Sequence, residues 1–273
     1  MIRSRVAWIL AALLLAALPV AAQEHLRLAT TTSTENSGLL GYLLPTFEQQ
    51  FGLKVDVVAV GSGQALKLAE NGDADVVLSH APSLEEAFVA SGFGVNRRGV
   101  MYNDFVLVGP PADSAGIRGM TSAAEALRAI ARTQATFLSR GDESGTHVKE
   151  KELWAAAGIA PSGAWYRSAG VGMGQLLQMA DETGAYTLTD RGTYLSRKQK
   201  GDLVVLVEND PPLFNPYAII ATNPARYPTA KYVAAMQLIA WMTSPEGQQR
   251  IASYQVGGRS LFIPTAVPGP PAP

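Results

Sequence analysis

Three times along this chain a short apolar run ends in a cluster of Ser, Thr and Gly, and a helical stretch follows at once. Leu26 to Ala29 reads as a strand that enters Thr30 to Thr34, with helical sequence from Ser37. Val55 to Val60 reads as a second strand, entering Gly61, Ser62 and Gly63 ahead of helical Gln64 to Glu70. Ala135 to Leu138 is a third, entering SRGDESGTH (139–147) ahead of helical Val148 to Ala157. Repeated strand–turn–helix units mean an α/β fold, and in open α/β sheets such turns lie at the carboxyl ends of strands, where ligands bind.

The chemistry of these turns suits an anion. A helix start carries unpaired N–H groups and partial positive charge. Ser and Thr add hydroxyl donors, and Gly lets the backbone approach closely. Arg140 adds a permanent cation with a planar fork of donors, and Asp142 is placed to orient it. One such turn is as readily an ordinary capped helix. Three point to convergence on one ligand.

The ends read differently. Residues 1–22 have Arg3 and Arg5, an apolar core from Val6 to Val20 and a small-residue end, the pattern of a cleaved secretory signal. The chain has no cysteine, which rules out disulfides and a lipidated N-terminal Cys. Formal charge is −1, and without the leader 20 basic residues face 23 acidic ones, which argues against a nucleic-acid surface. The Pro-rich tail, 267–273, has no means to pair or pack and reads as disordered.

Between these ends, helix and strand signals alternate. Leu40, Leu43, Leu44, Phe47 and Phe51 form a helical stripe that Pro45 is expected to kink or break. Ser83 and Glu86 read as a capping box, as do Ser122 and Glu125. Asp190 reads as an N-cap, and Ser244-Pro245 as the start of a last helix. Met101 to Val108 is read as a strand ended by Gly109-Pro110-Pro111. The Pro/Gly breaks at 109–111 and 211–216 read as crossings between two lobes. Lobe 1 is then 23–109 plus 210–266, with lobe 2, 110–209, inserted into it.

Catalytic and metal readings are weaker. Ser144 and His147 lie three apart at a helix start, which a secreted hydrolase would need, but no G-x-S-x-G elbow exists. No H-x-x-x-H or Cys set marks a metal site, and Asp73 and Asp75 read as solvated acids at a strand start. No cofactor is implied.

Taken together, LATTTSTENSGLL (28–40), NGDADVVLSHAP (71–82), SRGDESGTHVKE (139–150), GMGQLLQMA (172–180), GAYTLTDRGTYL (184–195) and WMTSPEGQ (241–248) resemble the tungstate-binding periplasmic proteins of ABC transporters. The resemblance covers nearly all of the mature chain. It implies the type II periplasmic binding-protein fold: two α/β lobes with mixed, largely parallel sheets, joined by a hinge. It implies a monomeric receptor, free of membrane anchor and cofactor, that delivers a tetrahedral oxyanion to an ABC permease. Tungstate is the expected ligand, with molybdate, sulfate and phosphate as alternatives. The anion contacts it implies are Thr31, Thr32 and Ser33, then Ser62 and Gly63, then Arg140, Ser144, Gly145 and Thr146, with the N–H groups near Gly172 and Met173 as a fourth set. His80 stands where phosphate-binding relatives resemble Ser-Asp, so a strand-end carboxylate that would accept a proton from phosphate is missing there, and the histidine either donates to the anion or simply packs at the strand end and bonds backbone.

Overall fold

The computed structural model describes residues 23–142, 144–197 and 201–266, so the leader and the tail read from the sequence lie outside the described residues. In chain order come β1 (Glu24–Thr31), α1 (Thr32–Asn36), α2 (Leu39–Phe51), β2 (Leu53–Val60), α3 (Ser62–Glu70), β3 (Val76–Ser79), α4 (Pro82–Ala90) and β4 (Gly94–Gly109). Next are α5 (Ala123–Thr133), β5 (Phe137–Ser139), α6 (Gly145–Ala156), β6 (Tyr166–Ser168), α7 (Met173–Thr183), β7 (Thr187–Asp190), α8 (Arg191–Ser196) and β8 (Val204–Val207). The chain returns through β9 (Phe214–Thr222), α9 (Tyr232–Met242) and α10 (Pro245–Ser253). Among the described residues no helix is long and apolar enough to cross a membrane.

The sheet is mixed. Its order is β2-β1-β3-β9-β4, with the short strand Ile263–Pro264 outside β4. β1 runs parallel to β2 and β3, whereas β9 is antiparallel to both β3 and β4. β4 then changes partners. It pairs with β9 as far as Asp104, with β7 from Phe105, and with β8 from Leu107. β5 pairs in parallel with β6, and Phe137 bridges in parallel to Tyr186 just before β7.

Two groups of elements therefore share one strand, and each has its own core. Val100 and Met101 of β4 pack with Leu28, Phe47, Ile219 and Trp241. Phe105 and Leu107, farther along the same strand, pack with Phe137, Trp154, Leu188 and Leu213. β4 ends at Gly109, where an added Cβ would fall 2.7 Å from the Tyr186 ring.

Local chemistry explains the elements. The stripe Leu39, Leu40, Leu43, Leu44 and Phe47 is buried on one face of α2. The helix is not interrupted at Pro45 as the sequence suggested. Pro45 and Gly41, the residue whose carbonyl loses its helical partner, both lie on the exposed face. Ser122 caps α5 by accepting from Glu125 N–H at 3.3 Å. The capping box expected at Ser83 and Glu86 does not form. Pro82 takes the first helical turn, and the Ala81 N–H donates to the buried Glu85 carboxylate at 2.8 Å.

Asp75 also departs from expectation. It is fully buried rather than solvated, while Asp73 is exposed. Its carboxylate accepts from the Arg27 N–H (2.9 Å), Nε (3.1 Å) and Nη2 (2.8 Å), and from the Lys231 N–H (3.1 Å). It thereby ties β1 to the approach of α9. Burial alone would raise this carboxyl, but the Arg27 and Lys231 hydrogen bonds outweigh it and hold the pKa below the ordinary value. A depressed folded-state pKa stabilises at neutral pH, and the gain is lost as pH falls through that pKa. Asp75→Asn should therefore cost on the order of 2 kcal/mol at neutral pH, a partial loss because Arg27 stays partly solvated. Urea unfolding at neutral pH and again in acid checks this: the gap between variant and native protein should narrow in acid.

Candidate functional site

The strand ends converge on a cavity of about 480 Å³ between the two groups of elements. Thr31, Thr32 and Ser33 line it at the end of β1, Ser62 at the start of α3, and His80 after β3. Arg140, Ser144, Gly145 and Thr146 line it from the β5–α6 loop, and Gly172 and Met173 from the start of α7. Of the expected anion contacts, Gly63 alone is not among the lining; Gly61 and Ser62 of the same turn are.

Arg140 is the one Lys or Arg among the described residues lining the cavity. Its Nη2 donates to Asp142, the orienting role expected for that acid. Its Nε is buried and has no hydrogen-bond partner among the described residues. The other Asp142 oxygen accepts from the Ser144 N–H (3.2 Å) and hydroxyl (2.7 Å). Burial would raise the Asp142 carboxyl, but the Ser144 bonds and the Arg140 guanidinium hold it below the ordinary value. The carboxylate thus fixes the cation and the helix cap together. The loop is held from outside as well. Ala169 N–H donates to Ser139 O at 3.0 Å, and Gly170 N–H to Arg140 O at 2.8 Å.

Ser144 is already committed. It donates to Asp142 and accepts from His147 N–H at 3.3 Å, as the N-cap of α6. The bond that joins Ser144 and His147 is thus a backbone cap, and the Ser144 hydroxyl donates to the Asp142 carboxylate. Gly145 and Thr146 N–H, the first two of the helix, have no intrahelical acceptor by position.

The helix starts around the cavity fall into two kinds. Thr31 caps α1, Ser144 caps α6 and Asp190 caps α8, each through its own side chain. Gly61 before α3 and Gly172 before α7 offer no side-chain acceptor, so the first N–H groups of those helices are left for another partner.

The floor was not legible as a site in the sequence. Asn103 and Phe105 of β4, and Asn215 and Tyr217 of β9, line the cavity. Asn103 Nδ2 donates to the Tyr217 hydroxyl at 3.3 Å, and Asn215 Nδ2 to Asn103 Oδ1 at 2.7 Å. His80 Nδ1 meets Asn215 Oδ1 at 3.1 Å. Its Nε2 meets Thr31 Oγ1 at 3.2 Å and Ser33 Oγ at 3.3 Å. Both ring nitrogens thus have protein partners. Burial holds the His80 pKa below the ordinary histidine value, against the Asn215 bond and the nearby Asp190 carboxylate. Asn103 and Asn215 are buried on adjacent strands and satisfy each other, a pairing that no local sequence signal announces.

One carboxylate does line the cavity. Asp190 comes from the end of β7, not from the strand end occupied by His80. Its oxygens accept from the Thr193 N–H at 2.7 Å and from the Thr193 hydroxyl at 2.7 and 2.9 Å. It is an N-cap, as its sequence position suggested.

The profile of the PBP superfamily domain matches residues 19–246. The chain is 47% identical to the tungstate-binding protein TupA of Peptoclostridium acidaminophilum, over 90% of this chain and 87% of the relative. Among solved structures it is similar to the tungstate-binding protein TupA of Desulfovibrio alaskensis G20, with TM-score 0.85 and 47% identity over 89% of this chain and 100% of that one. It is also similar to the tungstate ABC transporter structure from Geobacter sulfurreducens, with TM-score 0.75 and 58% identity over 85% of this chain and 99% of that one.

Gly141 offers a direct test of the loop geometry. Its φ is +61°, and an added Cβ would fall 1.7 Å from Ser168 Oγ. Gly141→Ala must therefore shift the segment that presents Arg140 or push Ser168 aside. Thermal unfolding should report a loss of about 1–3 kcal/mol. An unchanged melting temperature would show that the turn tolerates the side chain.

Proposed function

Because the chain belongs to the PBP superfamily, in the family of these tungstate-binding relatives, we propose that it is a receptor that captures a tetrahedral oxyanion, tungstate in the first place, in the cavity at its strand ends. The observation that supports this most is the donor set. Two glycine-capped helix starts, the first N–H groups of α6 and the buried, unpartnered Arg140 Nε all belong to one cavity. Among the described residues, the one acid lining it is spent largely on its own helix cap. Such a wall suits a ligand that has acceptors and no protons. The residues proposed to touch the anion are Thr31, Thr32, Ser33, Ser62, Arg140, Gly145, Thr146, Gly172 and Met173, with Gly63 one step from the lining and Ser144 and His80 holding the loops.

A hydrogen bond to a charged ligand contributes about 1.5–3 kcal/mol net. Six to eight of them exceed roughly nanomolar affinity before the costs of association and desolvation. The protein's part is binding, with delivery to an ABC permease. The leader read in residues 1–22 directs it to the periplasm.

Calorimetric titration of the purified protein with tungstate, molybdate, sulfate and phosphate tests the reading. The group-VI oxyanions should bind, and phosphate should not displace tungstate at comparable concentration. Failure of every oxyanion to bind would overturn it. Arg140→Ala should weaken tungstate binding by about 30-fold or more, since a charge-assisted bond inside a cleft is lost. Equal affinity of the variant would remove Arg140 from the site.

The change of partners along β4 at Asp104 and Phe105 supports a division into two lobes, the second made chiefly of residues 110–209. Closure of these lobes over the anion is the proposed capture step. Small-angle scattering should show a smaller radius of gyration in saturating tungstate. An unchanged radius would count against closure.

A further inference from the structure

His80 lines the cavity beside the hydroxyls of the β1–α1 turn and meets two of them through Nε2. The Thr31 hydroxyl lies within reach of Ser33 Oγ (3.1 Å), Thr34 Oγ1 (2.6 Å) and His80 Nε2 (3.2 Å), and it also accepts from the Thr34 N–H at 3.2 Å. Ser33 Oγ lies 3.3 Å from the same Nε2. On its other side, His80 Nδ1 faces Asn215 Oδ1 at 3.1 Å, in the amide orientation in which Asn215 Nδ2 donates to Asn103 Oδ1 and Asn103 Nδ2 to the Tyr217 hydroxyl. Nδ1 therefore carries a proton. In a neutral ring Nε2 is then a bare lone pair, and one hydroxyl of Thr31 or Ser33 must spend its proton on it. That proton is one an acceptor-only oxyanion needs.

We propose that binding of the oxyanion puts a proton on His80 Nε2, so that the imidazolium donates inward to Thr31 and Ser33 and frees the Ser33 hydroxyl to donate to the anion, while the Thr31 hydroxyl keeps its proton on Thr34 Oγ1. This deepens the oxyanion reading of the same cavity and rests on it. His80 is a positioning residue: it sets which way the Ser33 hydroxyl points. The surroundings favour the charged ring once a dianion arrives. Asp190, from β7, acts on the ring as an anion. Tyr217, from β9, lies tilted against the ring at 4.8 Å between centroids and stays a neutral phenol, because burial raises its pKa. Arg140, from the β5–α6 loop, lines the same cavity as the opposing positive charge, and the dianion shields the ring from it. Without the anion, burial keeps the ring neutral at neutral pH.

The sign follows from linkage. A proton taken up on binding makes affinity rise as pH falls. Between the free-state and bound-state pKa values of His80, tungstate affinity should weaken by up to about tenfold for each unit of rising pH, and it should level off below the free-state value. Tungstate itself carries no proton near neutrality, so the uptake belongs to the protein.

The experiment is calorimetric titration of the intact protein with sodium tungstate at slightly alkaline pH, in buffers of differing ionisation enthalpy. The dependence of observed enthalpy on buffer counts the protons taken up. Uptake approaching one proton per tungstate is expected in the native protein, with uptake lost and the pH dependence flattened in His80→Gln. Binding without proton uptake overturns the proposal while leaving the receptor reading intact. Uptake that persists in His80→Gln overturns it too, by moving the proton to another group. Absence of any tungstate binding to the native protein sinks the receptor reading itself. If His80→Gln fails to fold or bind, nitrogen-15 spectra of the native histidine rings decide. With tungstate, both His80 nitrogens should carry protons, and a lone pair retained on either nitrogen in the complex refutes the proposal.

Discussion

Strand register is what the rest of the site depends on. β1 and β2 run parallel and end together, with Thr31 paired to Val60, so the turns into α1 and α3 emerge side by side. β5 and β6 do the same, with Ser139 paired to Ser168, which sets the Arg140 loop beside the turn that leads to Gly172. In each half, two helix starts thus reach the same edge of the sheet. A slip of one residue would turn every side chain to the other face and separate these starts. The antiparallel strands β4 and β9 then bring the two edges together, because β4 runs from the first half into the crossing and β9 returns from it. A protein of net negative charge gathers donors around a cavity in this way without a basic surface.

The caps divide the work. A side-chain cap is worth about 1 kcal/mol to a helix, while replacing it with Gly costs only a few tenths. Glycine at Gly61 and Gly172 therefore leaves the first N–H groups of two helices available at small cost in stability. Thr31, Ser144 and Asp190 take the opposite course and lock their own turns. The locked turns hold the shape of the cavity, and the unlocked ones supply dipoles. Arg140 needs both: Asp142 fixes its Nη2, and the same acid braces the Ser144 cap.

The walls of the site were legible in the sequence, and its floor was not. Ser, Thr and Gly at strand ends advertise their role, because few other residues suit a tight turn and a helix cap at once. Thr31, Ser62 and Arg140 were found in such turns, Gly172 only through the family resemblance, and all four line the cavity. Asn103 and Asn215 sit inside strands, where an amide reads as a solvated position until its cross-strand partner is known. Asp104 meets Phe214 across the sheet from 110 positions away, and no local pattern encodes such a pair. The start of β4 was missed for a related reason. Asn96, Arg97 and Arg98 break the apolar run, yet this stretch belongs to the strand and is exposed or half-exposed through its irregular pairing. Asp75 was misjudged because burial depends on Arg27, 48 positions earlier, whose guanidinium neutralises it.

Asp190 shows how the two halves bear on specificity. Sequence comparison of strand ends looks for the acid beside β3, and finds His80 there. The folded chain brings an acid to the same cavity from β7 instead. What differs is its availability. An acid at a strand end can accept a proton from a protonated oxyanion, but Asp190 holds the Thr193 N–H and hydroxyl at 2.7 Å. To accept from a ligand it would have to share lone pairs that cap α8. On the proposed reading, discrimination against a protonated anion therefore lies in how fully that carboxylate is engaged rather than in the absence of a carboxylate. His80 completes the same logic from the other side, since a ring that donates inward leaves the turn with donors and no acceptor to offer.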